Sequence, residues 1–254
     1  MTTQKEKLKS LIKIAEELVI NGADPNIEDY QKNTSYSLMK ETIVEKLFDG
    51  VLSYDEDFLY LLKSEEFADF TIHGLKCHKL IVELRSNKTM QELDNFFQEL
   101  DNEEMTKLFL SWCYGGKISE EKPPEFFSKL GIEEPFRKRL RFDLQKLYHQ
   151  EESKDFTIIC HKKRIRVHRV VLYARSGLFR GLFQATTNTT EVQDYSNKAA
   201  KTLKVIVKYL YYDSLDESLE DEQILVELQD SNDYYQLNEK SSLKYLLEYH
   251  KKFN

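Results

Sequence analysis

Between Lys154 and Phe183 the spacing of apolar residues changes period once, and the change marks a strand pair followed by helices. Phe156, Ile158 and Cys160 alternate with Thr157, Ile159 and His161, the period of two of a strand with one buried face. The polar run His161, Lys162, Lys163 and Arg164 predicts a turn, and Ile165 and Val167 resume the alternation on a returning strand. From His168 the period becomes helical through Val171, Leu172, Leu178, Leu182 and Phe183. Gly177 and Gly181 there suggest a close approach or a break between two short helices. A hairpin followed by helices predicts an α+β unit whose sheet is covered on one side.

The pattern has an echo upstream. Ala68 to Ser86 repeats the order Asp-Phe-Thr-Ile, polar turn, His-basic-apolar-apolar, Arg-Ser, and Leu108 to Tyr114 matches Val205 to Tyr211 in apolar character. Asp69–Ile72 and Asp155–Ile158 are therefore expected as equivalent strands of two separate units, with His78 and His168 opening equivalent helices. The separation between equivalent residues widens along the chain, which predicts that the first copy has lost hairpin and central-helix residues and keeps only abbreviated helices before Pro135. In the second copy Phe156, Val167, Leu172, Phe179, Phe183, Val205 and Tyr209 fall on inner faces and should be buried.

The second copy resembles the BTB/POZ domain. The residues that carry the resemblance are Asp155, Val167, His168, Arg169, Leu172, Arg175, Ser176, Phe179 and Phe183, then the apolar helix Leu203 to Tyr212 and the run Asp233-Tyr234-Tyr235-Gln236-Leu237. It covers about 136–250. The echo reads as a degenerate BTB-like unit. Ahead of both, Leu18-Val19-Ile20-Asn21-Gly22-Ala23-Asp24-Pro25-Asn26 is similar to the end of an ankyrin repeat, with Asn33-Thr34 where a next repeat would begin, although Ser35-Tyr36-Ser37 replaces that family's Pro-Leu-His. The expected layout is an ankyrin-like helical segment at 1–50, a degenerate BTB-like unit at 51–134 and a BTB/POZ domain at 135–254. One and a half ankyrin repeats would need support from the unit that follows.

The 254 residues have room for this layout. A net charge of −7 argues against a general nucleic-acid binder, which needs a clustered cationic surface. The one basic stretch, Phe136 to Tyr148, places Phe136, Leu140, Leu144 and Leu147 on one helical face and reads as a linker helix with a solvated Arg/Lys side. Asp213 to Glu239 holds no Lys or Arg, so it is either a solvated acidic surface or a docking patch for a basic partner. The three cysteines, Cys77, Cys113 and Cys160, read as reduced thiols, and no apolar run is long enough to span a membrane, so cytoplasm or nucleus is the expected location. No phosphate loop, zinc-protease helix or nucleophile elbow occurs. Cys77-His78 and Cys160-His161 are adjacent on strands, point to opposite faces and cannot close a metal site. The expectation is no catalytic residue, no cofactor and no metal, with His78 and His168 buried and tying each strand end to the helix that follows.

Association remains. The resemblance implies that BTB domains dimerise or bind partners through the helix before the first strand, here Phe136, Leu140 and Leu144, and through a charged pocket formed by Asp155 and Arg169. The same two residues could instead form only an intradomain pair. In a tandem chain the first unit can stand in for a second molecule, giving a pseudo-dimer. The resemblance also implies a cullin contact at an apolar-x-Glu triplet, where Thr189 takes the apolar position before Glu191 and forgoes on the order of 1–2 kcal/mol of burial. The family's helical extension has no place before Asn254. The order ankyrin, BTB, BTB is that of a family regarded as ubiquitin-ligase adaptors. The expected function is a non-enzymatic protein-protein adaptor that recruits substrates to a cullin. The alternative is an oligomerisation scaffold, or a regulator of other BTB proteins without cullin binding.

Overall fold

Both alternating runs close into tight antiparallel hairpins, and the hairpins lie in separate sheets. The structure is a computed structural model that describes residues 55–118, 124–132, 135, 140–186, 189–194, 198–213, 222–229 and 231–237. The ankyrin-like segment and Phe136 lie outside the described residues. In chain order the elements are helix α1 (covering 55–64), strands β1 (Phe70–Ile72) and β2 (Leu75–Cys77), and helices α2 (Lys79–Ser86), α3 (Met90–Leu100), α4 (Glu103–Cys113) and α5 (Glu125–Lys129). Then follow α6 (Leu140–Tyr148), β3 (Phe156–Cys160), β4 (Lys163–Val167), α7 (Arg169–Arg175), α8 (Gly177–Ala185), β5 (Glu191–Gln193), α9 (Ala200–Tyr212), α10 (Glu222–Gln229) and α11 (Ser231–Tyr234).

The turns explain the hairpins. His73 and Gly74 have φ of 48° and 80°, and His161 and Lys162 have φ of 46° and 67°. Two positive φ values in a two-residue loop give the turn whose twist matches that of paired strands. The second turn reaches this geometry without glycine, and His161 Nε2–H donates to the Lys198 carbonyl at 3.1 Å, which helps hold it. The polar turn is thus shorter than the run of four suggests: Lys163 and Arg164 already belong to β4, opposite Cys160 and Ile159. Phe156, Ile158 and Cys160 face inward, as their period of two requires.

Three features depart from the expectations. A third strand, β5, runs parallel to β3, giving the order β4-β3-β5, whereas among the described residues the first sheet has only β1 and β2. The first copy has not lost central-helix residues. With 11 residues α3 is longer than the 9-residue α8, and it is fixed by a capping box in which Thr89 accepts from the Glu92 N–H while Glu92 accepts from the Thr89 N–H at 2.8 Å. What the first copy lacks is the stretch that carries β5, since α4 follows α3 after only Asp101 and Asn102. Of the residues expected inside, Phe156, Val167, Leu172, Phe179, Phe183 and Tyr209 are buried, but Val205 is half-buried.

Gly177 earns its place by contact. A Cβ there would stand 2.9 Å from the Gln236 side chain, and the Gly177 N–H donates to the Gln236 carbonyl at 2.9 Å. Gly181 faces open space, so the break between α7 and α8 comes from Ser176 in extended conformation rather than from that glycine. The core is continuous across both copies. On the first side it is aromatic, with Phe97, Phe109, Trp112, Phe126 and Phe127 in mutual ring contact, and α5 is pinned by the last two.

Candidate protein-interaction site

The repeat is preserved at the level of single atoms. His78 and His168 each sit at the N-cap of a helix, but neither side chain caps it. Instead the carboxylate just ahead of each hairpin does so: the Lys79 N–H donates to Asp69, and the Arg169 N–H to Asp155, both at 2.7 Å. The imidazoles reach further than the following helix. The Tyr114 hydroxyl accepts from the His78 N–H at 2.7 Å and lies 2.7 Å from its Nδ1; the Tyr211 hydroxyl does the same for His168 at 2.8 Å in both contacts. The His78 Nε2 lies 2.6 Å from the Glu66 carbonyl, which can only accept, so the proton is on Nε2 and Nδ1 accepts from the tyrosine. His168 has Ser153 Oγ at 2.9 Å in the equivalent place. Each histidine thus ties its strand end to α4 or α9.

Burial holds both imidazoles neutral, and it pushes His168 down to about 4. An unfolded His168 takes up a proton near its ordinary 6.5, so between 6.5 and about 4 the unfolded state binds the extra proton and stability falls as pH falls. His168→Gln should flatten the dependence of unfolding free energy on pH in that window by up to about 3 kcal/mol. Parallel slopes for the variant and the parent in urea titrations would refute the assignment.

Of the expected contact residues, Leu140 and Leu144 are buried on α6, which packs on α9 and α2. Asp155 is exposed and serves as the helix cap described above. The Arg169 guanidinium turns elsewhere: it donates to the Thr189 carbonyl and lies 5.5, 5.5 and 5.3 Å from the ring centres of Phe67, Phe156 and Phe183. Glu191 opens β5 and pairs with Arg164 across β3 on an exposed surface, a pair that contributes little to stability. Arg169 and Thr189 are therefore together, whereas Glu191 faces the β4 side.

The seam between the copies holds ion pairs that sequence reasoning did not assign. Arg175 donates to Asp57 of α1 at 2.6 Å and to Asp213 at the end of α9, all three buried. Burial lifts the Asp213 carboxyl above the usual carboxylate range, and the Arg175 and Arg141 cations only partly offset this. Arg85 donates to Asp143 of α6 at 2.7 Å. Phe67 meets Tyr173 and Phe183 edge-on at 5.3 and 5.8 Å. One signal was available, because the spacing between Asp57 and Asp143 equals that between Asp69 and Asp155.

Against known proteins, the family model described as the BTB/POZ domain matches residues 144–249. No curated protein matches the chain. Among solved structures the chain is similar to the BTB domain of zebrafish PATZ1, at 19% identity over 43% of this chain and 88% of that one with a TM-score of 0.36. It is also similar to the BTB (Tramtrack and Bric a brac) domain of human Gigaxonin, at 15% identity over 51% and 93% with a TM-score of 0.36. With the family model matching the span that carries the hairpin, the His168–Tyr211 tie and the helices around them, residues 144–249 of this protein are a BTB/POZ domain.

Proposed function

We propose that this protein is a non-enzymatic adaptor that works by BTB-mediated association and brings bound proteins to a cullin ubiquitin-ligase scaffold. The observation that carries the reading is the BTB/POZ domain at 144–249, because such domains are typically non-enzymatic modules for protein-protein association. On this reading residues 51–134 are a shortened second unit of the same kind, and 1–50 an ankyrin-like segment that binds the protein to be delivered. Phe136, Leu140, Leu144 and the Asp155–Arg169 corner belong to the association face, Thr189 and Glu191 to the scaffold contact. Action in the cytoplasm or nucleus goes with it, as does the absence of any nucleic-acid or membrane partner.

A second reading is favoured by the 189–191 corner itself. Thr189 offers less apolar area than a leucine or methionine would, its carbonyl is taken by Arg169, and Glu191 is engaged by Arg164. A regulator that associates with other BTB proteins without a cullin fits that corner. Capture assays with a purified cullin N-terminal domain and with separate BTB domains divide the two readings. Saturable cullin binding that weakens on Glu191→Lys supports the first, BTB capture without cullin binding supports the second, and no binding in either arm rejects both.

A further inference from the structure

Each copy is preceded by a helix, and each of those helices sends its aspartate to the other copy. Asp143 on α6, which leads into β3, pairs with Arg85 at the end of α2 in the first copy. Asp57 on α1, which leads into β1, pairs with Arg175 at the end of α7 in the second. The two arginines hold equivalent places in the repeat, and so do the two aspartates. A crossed pair in which i meets j and j meets i is the mark of a two-fold interface, here between two halves of one chain. The surroundings repeat as well: the Arg85 guanidinium lies 4.4 Å from the Trp112 ring centre, and that of Arg175 lies 5.7 Å from the Tyr209 ring centre at the matching place on α9. The buried faces of the leading helices correspond, with Phe58 and Leu61 on α1 standing where Leu144 and Leu147 stand on α6.

We propose that the Arg85–Asp143 and Arg175–Asp57 pairs form a reciprocal latch that joins the first copy to the BTB/POZ domain within one chain and so occupies the face through which the domain would take up a second copy of this protein. The inference rests on the association reading above. Its partner is the chain's own residues 55–132.

Three observations favour this occupant over a second molecule. The leading-helix leucines of α6 are already covered by α9 and α2 of the same chain. The seam is specified for unlike halves: Phe67 inserts against Tyr173 and Phe183, whereas the residue at its place in the repeat, Ser153, turns to His168. Asp213 joins the Arg175 side, and the matching place in the first copy is Gly116. Two identical BTB/POZ domains would meet without Phe67, and each buried arginine would need a correctly placed partner carboxylate, which penalises wrong pairings. The covalent link adds an effective concentration on the order of millimolar, which a second copy cannot match.

Light scattering of the whole chain tests it. The expected mass is the monomer's 30.2 kDa from low micromolar to the highest soluble concentration. Arg85→Asp and Asp143→Arg should each open the seam and give concentration-dependent dimers with red-shifted emission of Trp112, the chain's single tryptophan, and the two reversals combined should restore monomer and emission. Should a reversal fail to fold, Asp143→Asn replaces it, with partial dimerisation and a smaller red shift expected. A parent chain that is dimeric at every concentration, single variants that stay monomeric with unchanged emission, or a double reversal no better than the singles would each overturn the latch. Cullin and BTB capture are read separately, so a failed latch leaves the adaptor reading standing, and failed capture leaves the latch standing.

Discussion

Arg175→Met is expected to lower the unfolding free energy by about 3–5 kcal/mol near neutral pH, with the urea m-value unchanged. The guanidinium is buried between two buried carboxylates, Asp57 at 2.6 Å and Asp213, beside the ring of Tyr209. Removing the cation leaves two desolvated negative charges facing each other, which is far costlier than never having had the network. The pH dependence follows from Asp213. Burial already raises its pKa in the native state, and without Arg175 the rise is larger, so native protein holds a proton that the unfolded chain releases near 3.8. Such a group loses stability as pH rises through the window between those two values. The deficit of the variant should therefore shrink as the pH is lowered from neutral. Replacing Asp57, Arg175 and Asp213 together with apolar residues of similar volume should cost much less than Arg175→Met alone. A loss under about 1 kcal/mol, or a deficit that grows on acidification, would show that the cluster is hydrated.

The hairpins and the helix starts were legible because one-sided burial imposes a period and tight turns impose polarity. The β3–β4 hairpin is the clearest case, with Phe156 opposite Val167 and Ile158 opposite Ile165. β5 was not legible. Glu191, Val192 and Gln193 are too few to show a period and largely exposed, and the strand exists because β3 offers it an open edge. The α3 helix could have been found, since Thr89-x-x-Glu92 before Leu93 and Phe97 is a capping box ahead of an apolar face. Reading the widened spacing as a loss of central-helix residues overlooked it.

At the candidate site the motif residues were visible and their partners were not. Asp155 and Arg169 stood out together, yet only the backbone of Arg169 reaches Asp155 in the cap, while its guanidinium crosses to Thr189 and to three aromatic rings, one of them Phe67. Arg175 stood in the resembling motif, but its carboxylate partner Asp57 lies 118 residues away on a helix that leads the other copy. Contacts across a pseudo-two-fold seam leave no local pattern. They become legible only when the same residue types recur at the same spacing in both copies, as Asp57 and Asp143 do.

Phe179→Ala should cost about 3–5 kcal/mol, and the loss should reach beyond its own helix. The ring is buried on α8, stacked at 6.2 Å from Phe183 on the same helix and at 6.0 Å from Tyr235 in the C-terminal stretch. Those two contacts bracket the point where that stretch docks: Ser176 donates to the Tyr235 carbonyl, Gly177 to the Gln236 carbonyl at 2.9 Å, and Ser176 forms an antiparallel bridge with Leu237. Truncation leaves a cavity between α8 and Tyr235, and these backbone bonds then hold the segment without the stacked ring beneath it. Hydrogen exchange at Gly177 and Leu178, whose N–H groups point to that segment, should therefore accelerate more than exchange in β3, where Ile158 remains packed. Half-buried Val205 provides the contrast, since Val205→Ala removes less buried area and should cost about 1 kcal/mol. Equal losses for the two variants, or uniform exchange acceleration across α8 and β3, would mean that Phe179 supports the core as a whole rather than the docking of the C-terminal stretch.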